Sequence, residues 1–267
     1  MKISFFPPYR LIIGSALAFF AAFVQAAPVS VDSSAVREAK TDDTRFGIGA
    51  TTSLNQRPFL GVGTQQESLP YFSFTWGPVS MEGLDLTVDL LRNDQQSFGF
   101  IATPRFYEVT SGFAKDGELN GISTTDDTWF AGLNYRRKLG KYYIVMNAIT
   151  DVGNESDGNE ITLTVNRPYQ FDRISLIPAI GVVWQDQKLV NHFYGVDNDE
   201  STPTRPVYQN ESSLNYQASL TAVWHPTVHW QFLGALKVDA LGTGITDSPI
   251  IDEDVLPSAL VGAVYRF

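Results

Sequence analysis

The sequence predicts an all-β protein, an antiparallel up-and-down transmembrane barrel of about 12 strands, with 10 as the alternative. Three observations predict it. The chain opens on a short apolar run of export type. From Arg45 onward hydrophobicity alternates with a period of two, in segments near ten residues long. The last segment ends on an aromatic residue with another two positions before it. Alternation at that length, apolar on one face and polar on the other, is what a strand needs to cross a bilayer while lining a lumen.

The elements follow in chain order. Lys2 and Arg10 form a charged start, Leu11 to Val24 is the apolar run, and Val24-Gln25-Ala26 reads as a cleavage site. Residues 1–26 are therefore expected to be a signal peptide. The run falls short of the roughly 20 apolar residues of a transmembrane helix. Residues 27–44 are polar and aperiodic, a leader, and 45–267 would form the barrel. Candidate strands run over 45–54, 68–76, 78–91, 97–109, 127–138, 141–151, 160–169, 172–185, 213–224, 228–239 and 256–267. No segment reads as helical.

That count is eleven. Both termini of a bacterial barrel should face the periplasm, so the number must be even. Dividing 78–91 at Gly83 gives twelve, and leaving 45–54 outside the barrel gives ten. The connections alternate between short periplasmic turns, such as Leu139-Gly140, Gln170-Phe171 and His225 to Thr227, and longer extracellular loops at 110–126, 152–159, 186–212 and 240–255. The cleanest strand is Ser213 to Trp224. Leu214, Tyr216, Ala218, Leu220, Ala222 and Trp224 share one face, and Asn215, Gln217, Ser219 and Thr221 the other. Trp224 and Trp230 bracket the following turn and are expected at the membrane interface. In the last strand Ala259, Val261, Ala263, Tyr265 and Phe267 share a face. Tyr265 and Phe267 read as a signal for outer-membrane assembly, because the closing strand must offer an open edge and an apolar face.

Composition narrows the chemistry. The 267 residues carry 19 Lys and Arg against 29 Asp and Glu, a net charge of −10, and no cysteine. No basic stripe is available for a nucleic-acid partner. Disulfides, thiolate metal sites and cysteine nucleophiles are absent. Mean hydropathy of −0.08 is too polar for a helical membrane bundle. Only three histidines occur, His192, His225 and His229. The last two lie across a Pro turn rather than four apart on a helix, so no catalytic, cofactor-binding or metal-binding residues are expected. Acidic clusters around residues 126–127, 151–160, 197–200 and 247–254 fall in outer loops. They would sit among lipopolysaccharide phosphates, or bridge divalent cations. Arg105, Arg136, Lys237 and Arg266 fall on lumen faces, with Asp239 and Glu108 as candidate counter-charges. The lumen itself reads as mainly small and polar.

One ordered set of segments carries a resemblance. Arg57 to Gly61 follows the first strand and Leu69-Pro70-Tyr71 opens the next. Tyr194-Gly195-Val196 comes after a strand ending in Trp184, Asp247-Ser248-Pro249-Ile250 sits in the last outer loop, and the chain closes on Tyr265-Arg266-Phe267. In that order they resemble the MipA/OmpV family of outer-membrane proteins, also called MltA-interacting proteins, over about Arg45 to Phe267. The resemblance implies an outer-membrane barrel in contact with lipid and lipopolysaccharide. It further implies a non-enzymatic scaffold for murein-processing enzymes, a lytic transglycosylase with a penicillin-binding protein. A surface adhesin or receptor, a small-solute channel and a rim-located hydrolase are the competing readings.

Overall fold

A computed structural model describes residues 46–106, 112 and 114–267. The export signal at 1–26, the leader at 27–44 and Glu108 lie outside the described residues. No helix among those described is long and apolar enough to cross a membrane; strands do the crossing.

The strands are β1 (Gly47–Asn55), β2 (Gln65–Trp76), β3 (Val79–Gly83), β4 (Asp85–Arg92), β5 (Gln96–Arg105), β6 (Thr128–Leu139), β7 (Tyr142–Asp151), β8 (Asn159–Asn166), β9 (Tyr169–Phe171), β10 (Ile174–Gln185), β11 (Ser213–Trp224), β12 (Trp230–Ala240) and β13 (Val255–Arg266). All neighbours are antiparallel. The ring closes where β13 meets β1, with Gly47 opposite Arg266 and Asn55 opposite Ser258. Twelve strands form the ring. β9 stands outside that count and pairs only with β10, where Tyr169 opposite Leu176 keeps the register set by Asn166 opposite Ala179. It extends the β8 ladder past Pro168, which has no N–H to donate.

The break at Gly83 supplies the even number. Gly83 has φ of +65° and is the first of two turn residues joining Glu82 to Asp85. Glycine fits that left-handed position at little cost, as two-residue hairpins require. The β3–β4 hairpin is short. It reaches only to Phe72 on β2 and Ala102 on β5. Above it, among the described residues, Gln65–Tyr71 pairs only with β1 and Thr103–Arg105 only with β6.

Three expectations are corrected. The turn placed at Gln170-Phe171 lies at Asp172-Arg173 instead, with Phe171 opposite Ile174. Asp172 takes φ of +46°, a left-handed conformation that Asp tolerates better than most residues. β2 starts at Gln65, three residues earlier than the alternation indicates. Among the described residues two helices also occur, α1 (Gln187–Tyr194) and α2 (Thr243–Thr246). The signal for α1 was present. Asp186 caps it, its carboxylate accepting from the Leu189 N–H at 3.0 Å. Leu189, Val190, Phe193 and Tyr194 bury one face at helical spacing, and Gly195 ends it.

Alternation sets the two faces of the wall. On β11 Ser213, Asn215, Thr221 and Val223 point inward and are buried, whereas Leu214, Tyr216, Leu220 and Trp224 are exposed to the outside. On β13 Leu260, Val264 and Arg266 point inward, with Val261, Tyr265 and Phe267 outward.

Candidate functional site

Buried apolar clusters occupy both ends of the lumen. At the periplasmic end Tyr71, Ile177, Val223, Leu233, Ala235, Leu260 and Val264 pack into an apolar floor. This corrects the expectation of a mainly small, polar lumen. Polar lining lies on both sides of this cluster, with Ser73, Ser80, Ser97, Ser175, Gln231 and Arg266 buried beside the periplasmic turns. At the outer end the loops fold inward over a second core that includes Phe59, Leu119, Leu189, Phe193, Val196, Ile245 and Ile250.

Three of the segments that carry the family resemblance, Arg57 to Gly61, Tyr194 to Val196 and Asp247 to Ile250, meet in this cap. Ser248 Oγ donates to the Tyr194 carbonyl at 2.6 Å. The Tyr194 ring stacks on Phe59 at 5.8 Å, and burial pushes its phenol above the ordinary value. The Leu60 N–H donates to Ile250 O at 2.9 Å and the Asp252 N–H to Pro58 O at 2.8 Å. Gly195 leaves no room for a side chain, since a Cβ there would lie 2.3 Å from Asn191 O. Tyr194, Gly195, Val196, Asp247, Ser248 and Pro249 are thus placed in or beside the cap, far from the periplasmic rim.

Arg205 clamps two loops. Its guanidinium is buried and donates to the carbonyls of Glu118 and Asn120 at 3.0 Å each, and to Glu200 O at 2.7 Å. The Glu200 carboxylate accepts from the Ser123 N–H at 2.7 Å and the Asp197 N–H at 3.0 Å. Burial works to raise the Glu200 pKa. The hydrogen bonds from Ser123 and Asp197 and the charge of Arg205 outweigh it, so the carboxyl sits below its ordinary value. A depressed carboxylate stabilises the fold fully above its unfolded pKa, and that contribution is lost as pH falls through the folded value. The cap should therefore loosen in acid. Glu200→Gln should loosen it already at neutral pH, by about 2 kcal/mol for a hydrogen-bonded charge, with a flatter acid dependence. Proteolysis of the outer loops at pH 7 and pH 4 reads both; equal resistance of wild type and variant at pH 7 would remove Glu200 from the clamp.

Between floor and cap lies a chamber of about 350 Å³. Its charges are ion-paired or hydrogen-bonded locally. Arg105 pairs with Glu160 at 2.8 Å, Lys237 with Asp239 at 2.9 Å and Arg57 with Glu67 at 3.7 Å. Glu82 accepts from Tyr71 at 3.2 Å and Ser73 at 3.1 Å, and Asp85 from Thr103 at 2.6 Å. Such pairing is the condition for keeping charge inside a barrel. Asp239 is the partner of Lys237, as its spacing indicates. Glu160, 55 residues from Arg105, was not visible as its partner in the sequence. Arg136 stands over the Tyr143 ring at 4.6 Å and Arg266 contacts Gln231.

The histidines do not converge. His192 lies on α1 with its Nε2 4.0 Å from Glu155. His225, in a periplasmic turn, is held below its ordinary pKa by burial and then by Arg266. His229 stacks on Tyr265 at 5.8 Å. Among the described residues no group of three or more His, Asp or Glu gathers as a metal site.

The inner rim carries an aromatic girdle. Trp224 lies 5.4 Å from Phe232, which lies 6.0 Å from Trp230. Trp230 meets Tyr265 at 5.2 Å, Tyr265 meets Phe267 at 5.2 Å, and Phe46 continues the series at 6.0 Å from Phe267. The Phe267 N–H donates to Phe46 O at 2.9 Å, fixing the terminus against β1. The neighbouring sector exposes Trp76, Leu90, Leu91 and Arg92. A bulge between Asp89 and Leu91 turns both leucines outward.

Comparison with known proteins agrees with this geometry. The family model described as MltA-interacting protein MipA matches residues 46–267. The outer membrane protein YiaT of Escherichia coli O157:H7 is 24% identical over 230 residues, covering 86% of this chain and 94% of its own. The MltA-interacting protein of Escherichia coli strain K12 is 22% identical over 227 residues, covering 84% and 90%. The outer membrane protein OmpV of Vibrio cholerae is 25% identical over 192 residues, covering 69% and 74%.

Proposed function

Because this chain belongs to the MipA family of outer-membrane barrel proteins, its family model matching residues 46–267, we propose that it is a docking barrel. Its partner would be a murein-processing enzyme, a lytic transglycosylase together with a penicillin-binding protein, held at the inner face of the outer membrane. The observation that supports this reading best is the apolar packing at both ends of the lumen, around Tyr71, Ile177 and Val223 below and under the outer loops above. Apolar packing at both ends narrows any passage along the axis, which weighs against the channel reading. One relative bears the name MltA-interacting protein. The scattered histidines and the locally paired chamber charges offer no acid–base pair, so no turnover is expected.

The periplasmic turns are short, so the docking surface must be compact. The turn Arg92 to Gln96 suits it. Asn93 Oδ1 accepts from the N–H groups of Gln95 and Gln96 at 2.9 and 3.0 Å, which makes the turn rigid, and Trp76, Leu90 and Leu91 are exposed nearby. Rigid apolar and aromatic side chains ringed by polar groups are favourable docking anchors. Replacing Arg92 to Gln96 by a Gly-Ser turn should weaken capture of a purified lytic transglycosylase at least tenfold, with the barrel still folded. Unchanged capture would move the interface elsewhere, to the 27–44 leader first. No capture by the wild type would favour the adhesin reading, to be tested by deleting 186–212.

A further inference from the structure

We propose that the outside wall of β6 to β9, at its periplasmic end, carries a site for the phosphate of an anionic phospholipid in the inner leaflet. The observation is a contrast between two sets of cations. Of the lumen cations, Arg57, Arg105 and Lys237 each face a carboxylate within 4 Å, while Arg136 lies over the Tyr143 ring and Arg266 contacts Gln231. On the lipid side Arg137 and Arg167 have no carboxylate partner among the described residues, nor has Lys141 in the turn between β6 and β7. In a chain of net charge −10, three unpaired cations in one sector ask for an anion from outside the chain.

The direction of these side chains follows from the strands. Arg137 shares its face of β6 with the exposed Trp129 and Leu133, opposite the buried Phe130 and Asn134. Arg167 continues the outward row of β8, after the exposed Ile161 and Leu163. Both stand beside the periplasmic turns, at the level of the exposed Leu139, Tyr142 and Phe171. They point sideways into the membrane interface rather than down into the periplasm.

The geometry around Arg167 suits a phosphate. Its guanidinium lies 4.5 Å from the Tyr169 ring centroid and 5.5 Å from that of Tyr142. Stacking between two rings holds the planar fork in place and leaves its edge N–H groups available, and that edge matches two phosphate oxygens. Tyrosines at this depth also mark the headgroup level. The opposite rim has the opposite sign, with Asp197, Asp199, Glu200, Asp252, Glu253 and Asp254 in the outer loops. That polarity favours an inner-leaflet phospholipid over lipopolysaccharide as the occupant.

Native mass spectrometry of the intact barrel, released from micelles containing phosphatidylglycerol, phosphatidylcholine or lipopolysaccharide, tests this. Each arginine near an anionic surface contributes about 1 kcal/mol, so two predict a preference of about thirtyfold for phosphatidylglycerol over phosphatidylcholine. The double substitution Arg137→Gln with Arg167→Gln should abolish that preference. Arg137→Lys with Arg167→Lys should keep part of it, and Lys188→Gln at the outer end should leave it intact. Glycerol phosphate at equal concentration should not compete, since it lacks the chains that seat the headgroup in the girdle. Equal retention of the two lipids by the wild type, or an undiminished preference in the double glutamine variant, would overturn the site. Stronger retention of lipopolysaccharide through the same arginines would overturn the inner-leaflet assignment. The measurement involves no protein partner, so its outcome is separate from that of the docking test. Heat-modifiable migration on a gel verifies that each variant is folded.

Discussion

Leu220→Arg should lower the unfolding free energy of the barrel in lipid vesicles by about 2–4 kcal/mol, the cost of a cation on the lipid face near the midplane. Ser219→Arg, one residue away, should cost far less. Leu220 points outward, and lies four residues above Trp224, about 13 Å along the strand. That distance carries it from the inner interface towards mid-bilayer. Ser219 lines the chamber, opposite Lys237 and close to Asp239, where an added charge meets water and a carboxylate. A shift of one residue in register would exchange the two positions and so reverse the order of the costs. Titration of both variants with urea in vesicles gives the comparison; a larger loss from Ser219→Arg would show that β11 faces the other way.

Phe267→Asp should leave the protein exported but largely missing from the outer membrane, with at least a tenfold fall in the folded fraction. Phe267 is the last link between two parts of the inner girdle, edge-on to Tyr265 on one side and tilted against Phe46 on the other. Its N–H is bonded to Phe46 O across the β13–β1 seam, the pairing that closes the ring. A carboxylate here would place charge on the lipid-facing edge of the closing strand, where unpaired backbone groups cost several kcal/mol each until the seam is made. Fractionation of outer membrane against periplasm provides the measurement. Normal membrane levels would show that closure does not depend on this ring. Phe267→Tyr, which keeps the aromatic surface, should insert normally.

The wall was legible in the residues because a strand in a barrel has a local rule. Leu214 to Trp224 and Val261 to Phe267 show their facing by alternation alone, and parity narrows the count to twelve, with Gly83 as the break, or ten; pairing of β1 with β13 decides for twelve. The same rule hides α1, since eight residues inside a long polar segment disturb the period-two pattern too little to stand out. Asp186, Gly195 and the four buried residues between them were the available signs. The segments that mark the family, Tyr194 to Val196 and Asp247 to Ile250, were readable as motifs but not as neighbours; only the fold brings Ser248 to the Tyr194 carbonyl.

The sequence by itself therefore determined the barrel, its inward and outward faces, its inner aromatic residues and its acidic outer loops, because each of these depends on residue type and spacing along one segment. Only the tertiary structure decided that the lumen is floored and capped, that Arg105 answers Glu160, and that Arg205 ties two loops together. It also decided that Arg137 and Arg167 stand on the lipid side without a carboxylate among the described residues. These depend on which distant residues face one another across the ring, and closure of the ring fixes that pairing only when every strand register is in place.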